Sequence, residues 1–123
     1  MSNYGVTAQD MPDLAPSIYR QRLVVEGRCA APVDAERIRD YLVELSEVCG
    51  MRRLIDPVTH RSDRYGWAGW VHWESSGAHV YAWEQPLLFF SVDIYTCKEF
   101  DPDAVVSFTE QFLRADEIVA RLF

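Results

Sequence analysis

A chain of 123 residues, 49% hydrophobic and 25% charged, is long enough for one soluble domain with its own core and small enough to invite a partner subunit. Its formal net charge of −7, with Lys98 as the single lysine, speaks against nucleic acid as the main partner and favours a cationic ligand. No apolar run reaches membrane-spanning length, the first residues lack a signal-peptide pattern, and three widely spaced cysteines without a C-x-x-C pair argue against a zinc site or a disulfide framework. The expectation is a cytoplasmic protein with no membrane contact and no metal.

Residues 1–16 are polar with two prolines and read as a flexible tail, leaving residues 17–123 as the single domain. Tyr19, Leu23 and Val25 alternate with polar residues from Ile18 to Arg28, which predicts a first strand. Asp34 is a candidate N-cap for a helix whose apolar face is Ile38, Tyr41, Leu42, Leu45 and Val48, with Gly50 as its stop. Met51 to Val58 reads as a short second strand, and Thr59 to Asp63 as a polar loop.

Three further strands are predicted over roughly Tyr65–Glu74, Ala78–Glu84 and Leu87–Thr96, with turns at Ser75-Ser76-Gly77 and Gln85-Pro86. Asp101-Pro102 opens a second amphipathic helix marked by Val105, Phe108, Phe112 and Leu113. Glu117 to Phe123 is compatible with a last strand or a helical tail. The order β-α-β-β-β-β-α-(β) predicts an α+β two-layer sandwich, a mainly antiparallel sheet with two helices on one face. The other face is then aromatic and half exposed, a surface for a second subunit or a ligand.

The segment Gly66–Cys97 carries three Ser, two His, all four Trp, Asp93 and Cys97. His79 alternates in phase with Tyr81 and Trp83 and so shares their face; it is either a hydrogen-bonded sheet histidine or a general base. Asp93 among apolar neighbours is costly unless it is paired or faces a ligand. Ser75 and Ser76 are, by composition, turn residues, and Cys97 is by default a small buried thiol. Trp67 and Trp73 share one face and Trp70 the other, so at least one belongs to the core or to a subunit contact.

This segment resembles the short, pyruvoyl-dependent S-adenosylmethionine decarboxylases of bacteria and archaea. Val92-Asp93-Ile94-Tyr95-Thr96-Cys97 is close to the family's Val-Asp-Ile-Phe-Thr-Cys, Gly66–Gly69 is similar to its Gly-Val-Ser-Gly, and Ala82-Trp83-Glu84 to its Thr-Trp-Pro-Glu without the proline. The first strand, RLVVEGRC, and Asp101-Pro102 match as well. The family cuts itself at Glu-Ser-His, and the serine becomes a pyruvoyl electron sink. Here the ungapped frame puts Ser76 at the cleaved position, preceded by Ser75 and followed by Gly77, with Ala68 and Tyr81 replacing the assisting serine and histidine. A shifted frame makes Glu74-Ser75 the cleavage pair. The resemblance further implies a proton-donor role for Cys97, adenine stacking by Trp83, often from a neighbouring subunit, and ribose binding near Glu84.

Three functions follow. The first is an enzyme, lyase-like, that acts on S-adenosylmethionine or a related cationic amino acid without a cofactor. It would release methylthioadenosine by elimination, cyclisation or hydrolysis, with Cys97, His79, Tyr81, Asp93, Ser76 and Ser75 in catalytic roles and Trp83, Glu84, Trp67 and Glu74 holding substrate. The second is a self-cleaving decarboxylase with a pyruvoyl group from Ser76 or Ser75. The third is a catalytically silent binding or regulatory paralogue. Each is expected as a homodimer or higher homo-oligomer.

Overall fold

The computed structural model describes residues 11–123. Ten residues of the expected tail lie outside that range, and Met11–Arg20 form no helix or strand. The elements in chain order are β1 (Gln21–Cys29), α1 (Ala35–Val48), β2 (Val58–Arg61), β3 (Gly66–Trp73), β4 (Ser76–Trp83), β5 (Phe89–Thr96), α2 (Pro102–Leu113) and β6 (Ala115–Leu122). The strands form one antiparallel sheet in the order β2-β3-β4-β5-β1-β6. Residues 117–122 are therefore strand rather than helical tail, paired along β1 from Leu23↔Leu122 to Arg28↔Glu117.

Local chemistry sets the helix limits. Asp34 caps α1 by accepting the Arg37 backbone N–H at 3.0 Å, and Gly50 ends it at φ 64, which a residue with a Cβ rarely adopts. Asp101 caps α2, with Pro102 at its first position, where no intrahelical N–H is needed. The helices cover one face of the sheet. Ile38, Tyr41, Leu42 and Leu45 of α1 and Val105 and Leu113 of α2 pack on Leu23, Val25, Val71, Trp73, Val80, Val92 and Ile94. The buried Tyr41 hydroxyl and Thr109 share a hydrogen bond of 2.7 Å that ties the helices together. α1 crosses β3 so closely that a Cβ on Gly69 would stand 2.4 Å from the Ile38 side chain, which explains the second glycine of Gly66-Trp67-Ala68-Gly69.

Two sequence expectations shift. The sequence places the second strand at 51–58 and a loop at 59–63, but β2 occupies Val58–Arg61, with three of its four residues in that loop. Pro57 has no N–H to give a ladder, and the stretch before it makes a single bridge, Arg53↔Trp73, while Thr59 is held by the Arg39 guanidinium at 3.0 Å. The turn expected at Ser75-Ser76-Gly77 is tighter. Trp73↔Ser76 closes the β3–β4 hairpin, so only Glu74 and Ser75 form the turn and Ser76 already belongs to β4.

Candidate active site

The β3–β4 turn brings Glu74, Ser75, Ser76 and Cys97 together. Ser75 takes φ 55, a left-handed conformation that costs a non-glycine residue about 1–2 kcal/mol and is found where the surroundings impose it. Ser75 is exposed, whereas Ser76 turns its side chain to the helix side and is only 5% exposed. The register Gly77↔Tyr95 carries β5 past Ser76, so that the Cys97 backbone N–H donates to Ser76 Oγ at 2.8 Å. The Cys97 thiol in turn donates to the Glu74 carbonyl oxygen at 3.5 Å. A hydroxyl oxygen that already receives an amide N–H is one on which developing negative charge is stabilised.

The three thiols are not equivalent. Burial pushes Cys49 up to about 12 and raises Cys29 as well, so both stay protonated and shielded at neutral pH, while Cys97 is only half-buried. A thiol-specific reagent at neutral pH is expected to modify one cysteine of the folded chain, Cys97, and all three after denaturation. Rapid labelling of Cys49 in the folded protein would contradict this.

His79, Tyr81 and Asp93 lie on the opposite, helix-free face. His79 pairs across the sheet with Trp70 on one side and Asp93 on the other, and its ring stacks on Tyr81 with centroids 5.7 Å apart. Tyr81 faces Ser91, whose hydroxyl donates to Glu26 at 2.7 Å. A cavity of about 620 Å³ opens on this face between Trp70, His79, Asp93, Tyr95, Arg22 and Phe123. Sequence reasoning did not single out Arg22, Trp70 or Tyr95 as site residues. The signal was present, because Arg22 alternates with the buried Leu23 and Val25 and so must share the open face. The Arg22 guanidinium rests 4.8 Å over the Tyr95 ring.

Trp83, Glu84 and Trp67 gather at the other end of the same strands. The Tyr65 and Trp83 rings lie 5.1 Å apart, Arg61 stands over Trp67 at 5.7 Å and meets Glu84 at 3.8 Å, and Trp67, Tyr81 and Trp83 line a pocket of about 180 Å³. Seven strand steps separate Trp83 from Ser76, about 23 Å along β4. One copy of the chain therefore does not bring Trp83 and Glu84 to Ser76 and Cys97. Among the described residues no group of three or more His, Cys, Asp or Glu converges on a possible metal position, and no helix is long and apolar enough to cross a membrane.

A family model described as S-adenosylmethionine decarboxylase matches residues 23–123. Among solved structures, the adenosylmethionine decarboxylase from Aquifex aeolicus VF5 has a similar fold, with a TM-score of 0.65 and 17% sequence identity over 86% of this chain and 89% of that one. No curated protein matches the sequence.

Proposed function

The chain belongs to the S-adenosylmethionine decarboxylase family, and from that premise we propose that it is itself a decarboxylase of S-adenosylmethionine, matured by cleavage of its own Ser75–Ser76 bond. The observation that carries this reading is the Ser76–Cys97 contact at the left-handed Ser75. Attack of Ser76 Oγ on the Ser75 carbonyl carbon exchanges the amide for an ester; loss of the residue 76 α-proton then expels the Ser75 carboxylate, and water displaces the residue 76 nitrogen as ammonia to leave a ketone. The Cys97 N–H already points at the attacking oxygen, and the strained turn gains freedom once the bond is cut. A pyruvoyl group at residue 76 would supply a ketone that accepts the electrons left when the carboxylate departs. In this reading Cys97, whose backbone N–H reaches Ser76 Oγ, returns a proton to the product. Between the two candidate frames, burial beside Cys97 favours Ser76, because Ser75 projects into solvent on the turn.

A second reading, chemistry at the sulfonium in an uncut chain, is favoured by a specific observation. Ala68 carries no hydroxyl, and Tyr81 lies on the sheet face opposite Ser76, so neither assisting position supplies a group to the serine. In that reading the cavity beside Trp70 and Asp93 holds the cation, through the ring face and the carboxylate, and His79 opposite Asp93 serves as base. The sulfur leaves without an electron sink, and methylthioadenosine is released.

Incubation of the purified chain with S-adenosylmethionine, followed by product analysis, separates the two. Carbon dioxide with the decarboxylated sulfonium supports the first, methylthioadenosine supports the second, and binding without either product leaves a silent paralogue. The 23 Å gap also bears on assembly: Trp83 and Glu84 can serve Ser76 only from another copy, so the active form is inferred to be a homo-oligomer. A cytoplasmic location goes with this reading.

A further inference from the structure

β6 forms one rim of the sheet. It pairs with β1 on its inner side, and among the described residues no strand pairs with its outer side. An eight-residue edge with Val119 67% and Leu122 54% exposed is a template for another strand. Charged residues ordinarily keep such edges apart; here the charges are self-complementary.

We propose that β6 pairs antiparallel with β6 of a second copy about a two-fold axis at Val119, joining two sheets into one. The hydrogen-bond direction supports this register. The Phe123 N–H donates inward to the Arg22 carbonyl at 3.0 Å, so residues 117, 119, 121 and 123 direct their N–H and C=O to β1. Ile118, Ala120 and Leu122 therefore direct theirs to the free edge, while Asp116 falls where the β1–β6 register shifts. A two-fold at Val119 places Ile118 opposite Ala120 on each side of the axis, an outward-pointing pair able to exchange ladder hydrogen bonds. It also places Glu117 opposite Arg121 on both sides of the axis. These are the non-hydrogen-bonded positions, where side chains approach most closely, and opposite charges there are favourable. Moving the axis to Ile118 sets Glu117 against Val119, and moving it to Ala120 sets Arg121 against Val119, so only the Val119 register matches the charges. Because paired residues share a face, the helix layers of both copies stay on one side.

Sedimentation equilibrium on the full chain tests the proposal. Arg121→Glu and Glu117→Arg, each alone, set like charges opposite and are expected to halve the mass of the wild-type assembly. The double variant Glu117→Arg/Arg121→Glu restores the charge pairs and is expected to recover it, which a merely misfolded single variant would not do. A monomeric wild type, single variants with unchanged mass, or a double variant that stays dissociated would each overturn the proposal. The chemistry at Ser76 does not depend on this edge, so product formation alongside unchanged mass overturns the edge pairing alone.

Discussion

Intact mass spectrometry of the purified wild-type chain is expected to show two fragments, residues 1–75 and 76–123, with a ketone-reactive group at the start of the second. Ser76→Ala is expected to give one uncut chain and to lower decarboxylation by ~10³-fold or more, equivalent to at least about 4 kcal/mol of barrier. Removing Oγ removes the only atom that can carry the acyl group at that position, and no neighbouring hydroxyl replaces it: the Ser75 side chain is exposed on the turn, whereas Ser76 Oγ is the atom bonded to Cys97 N–H. Ser75→Ala keeps that nucleophile and is expected to leave the cut in place. The opposite pattern, with Ser75→Ala blocking cleavage and Ser76→Ala not, would assign the bond to Glu74–Ser75. A wild type of a single full mass that releases methylthioadenosine would replace the decarboxylase with the uncut enzyme.

Trp73→Ala is expected to destabilise the fold by about 3–5 kcal/mol, a large share of the roughly 5–15 kcal/mol that holds a domain of this kind together. Trp73 is 0% exposed, and its indole N–H donates to Ser46 Oγ at 2.8 Å. The Ser46 hydroxyl donates to the Leu42 carbonyl at 2.7 Å, so one side chain joins β3 to the middle of α1. Truncation leaves a cavity and strips Ser46 of its donor. Trp73→Phe keeps most of the ring volume and loses only the hydrogen bond, at about 1 kcal/mol. Trp70→Ala, three residues earlier on the open face and 38% exposed, is expected to cost less than about 1 kcal/mol. Urea unfolding of the three variants checks this order, and a Trp70→Ala cost equal to that of Trp73→Ala would refute the assignment of faces.

The alternation of β3 and β4 already separated Trp70 from Trp67 and Trp73, and His79 from the residues that flank it, because side chains in a strand must point to opposite sides. Alternation alone could not say which set was buried. That depended on α1 lying across β3, with Gly69 against Ile38 and Ser46 beneath Trp73. The misplaced second strand has a similar origin. Met51–Val58 looks apolar enough to be a strand, but before Pro57 it meets β3 only at the Arg53↔Trp73 bridge and at the Leu54 N–H bonded to the His72 carbonyl, and continuous pairing begins at Val58.

The caps at Asp34 and Asp101, the Gly50 stop after α1 and the α+β order are local properties, set by neighbours within a few residues, and so are readable in the chain itself. The meeting of Ser76 with Cys97 spans 21 positions and depends on the hairpin closing at Trp73↔Ser76 and on the β4–β5 register. A shift of one residue in either pairing would turn Ser76 to the other face and leave Cys97 beside a different side chain. Composition identifies these residues as reactive types, but only long-range strand pairing could make them neighbours, because register is decided by the whole sheet packing against its helices.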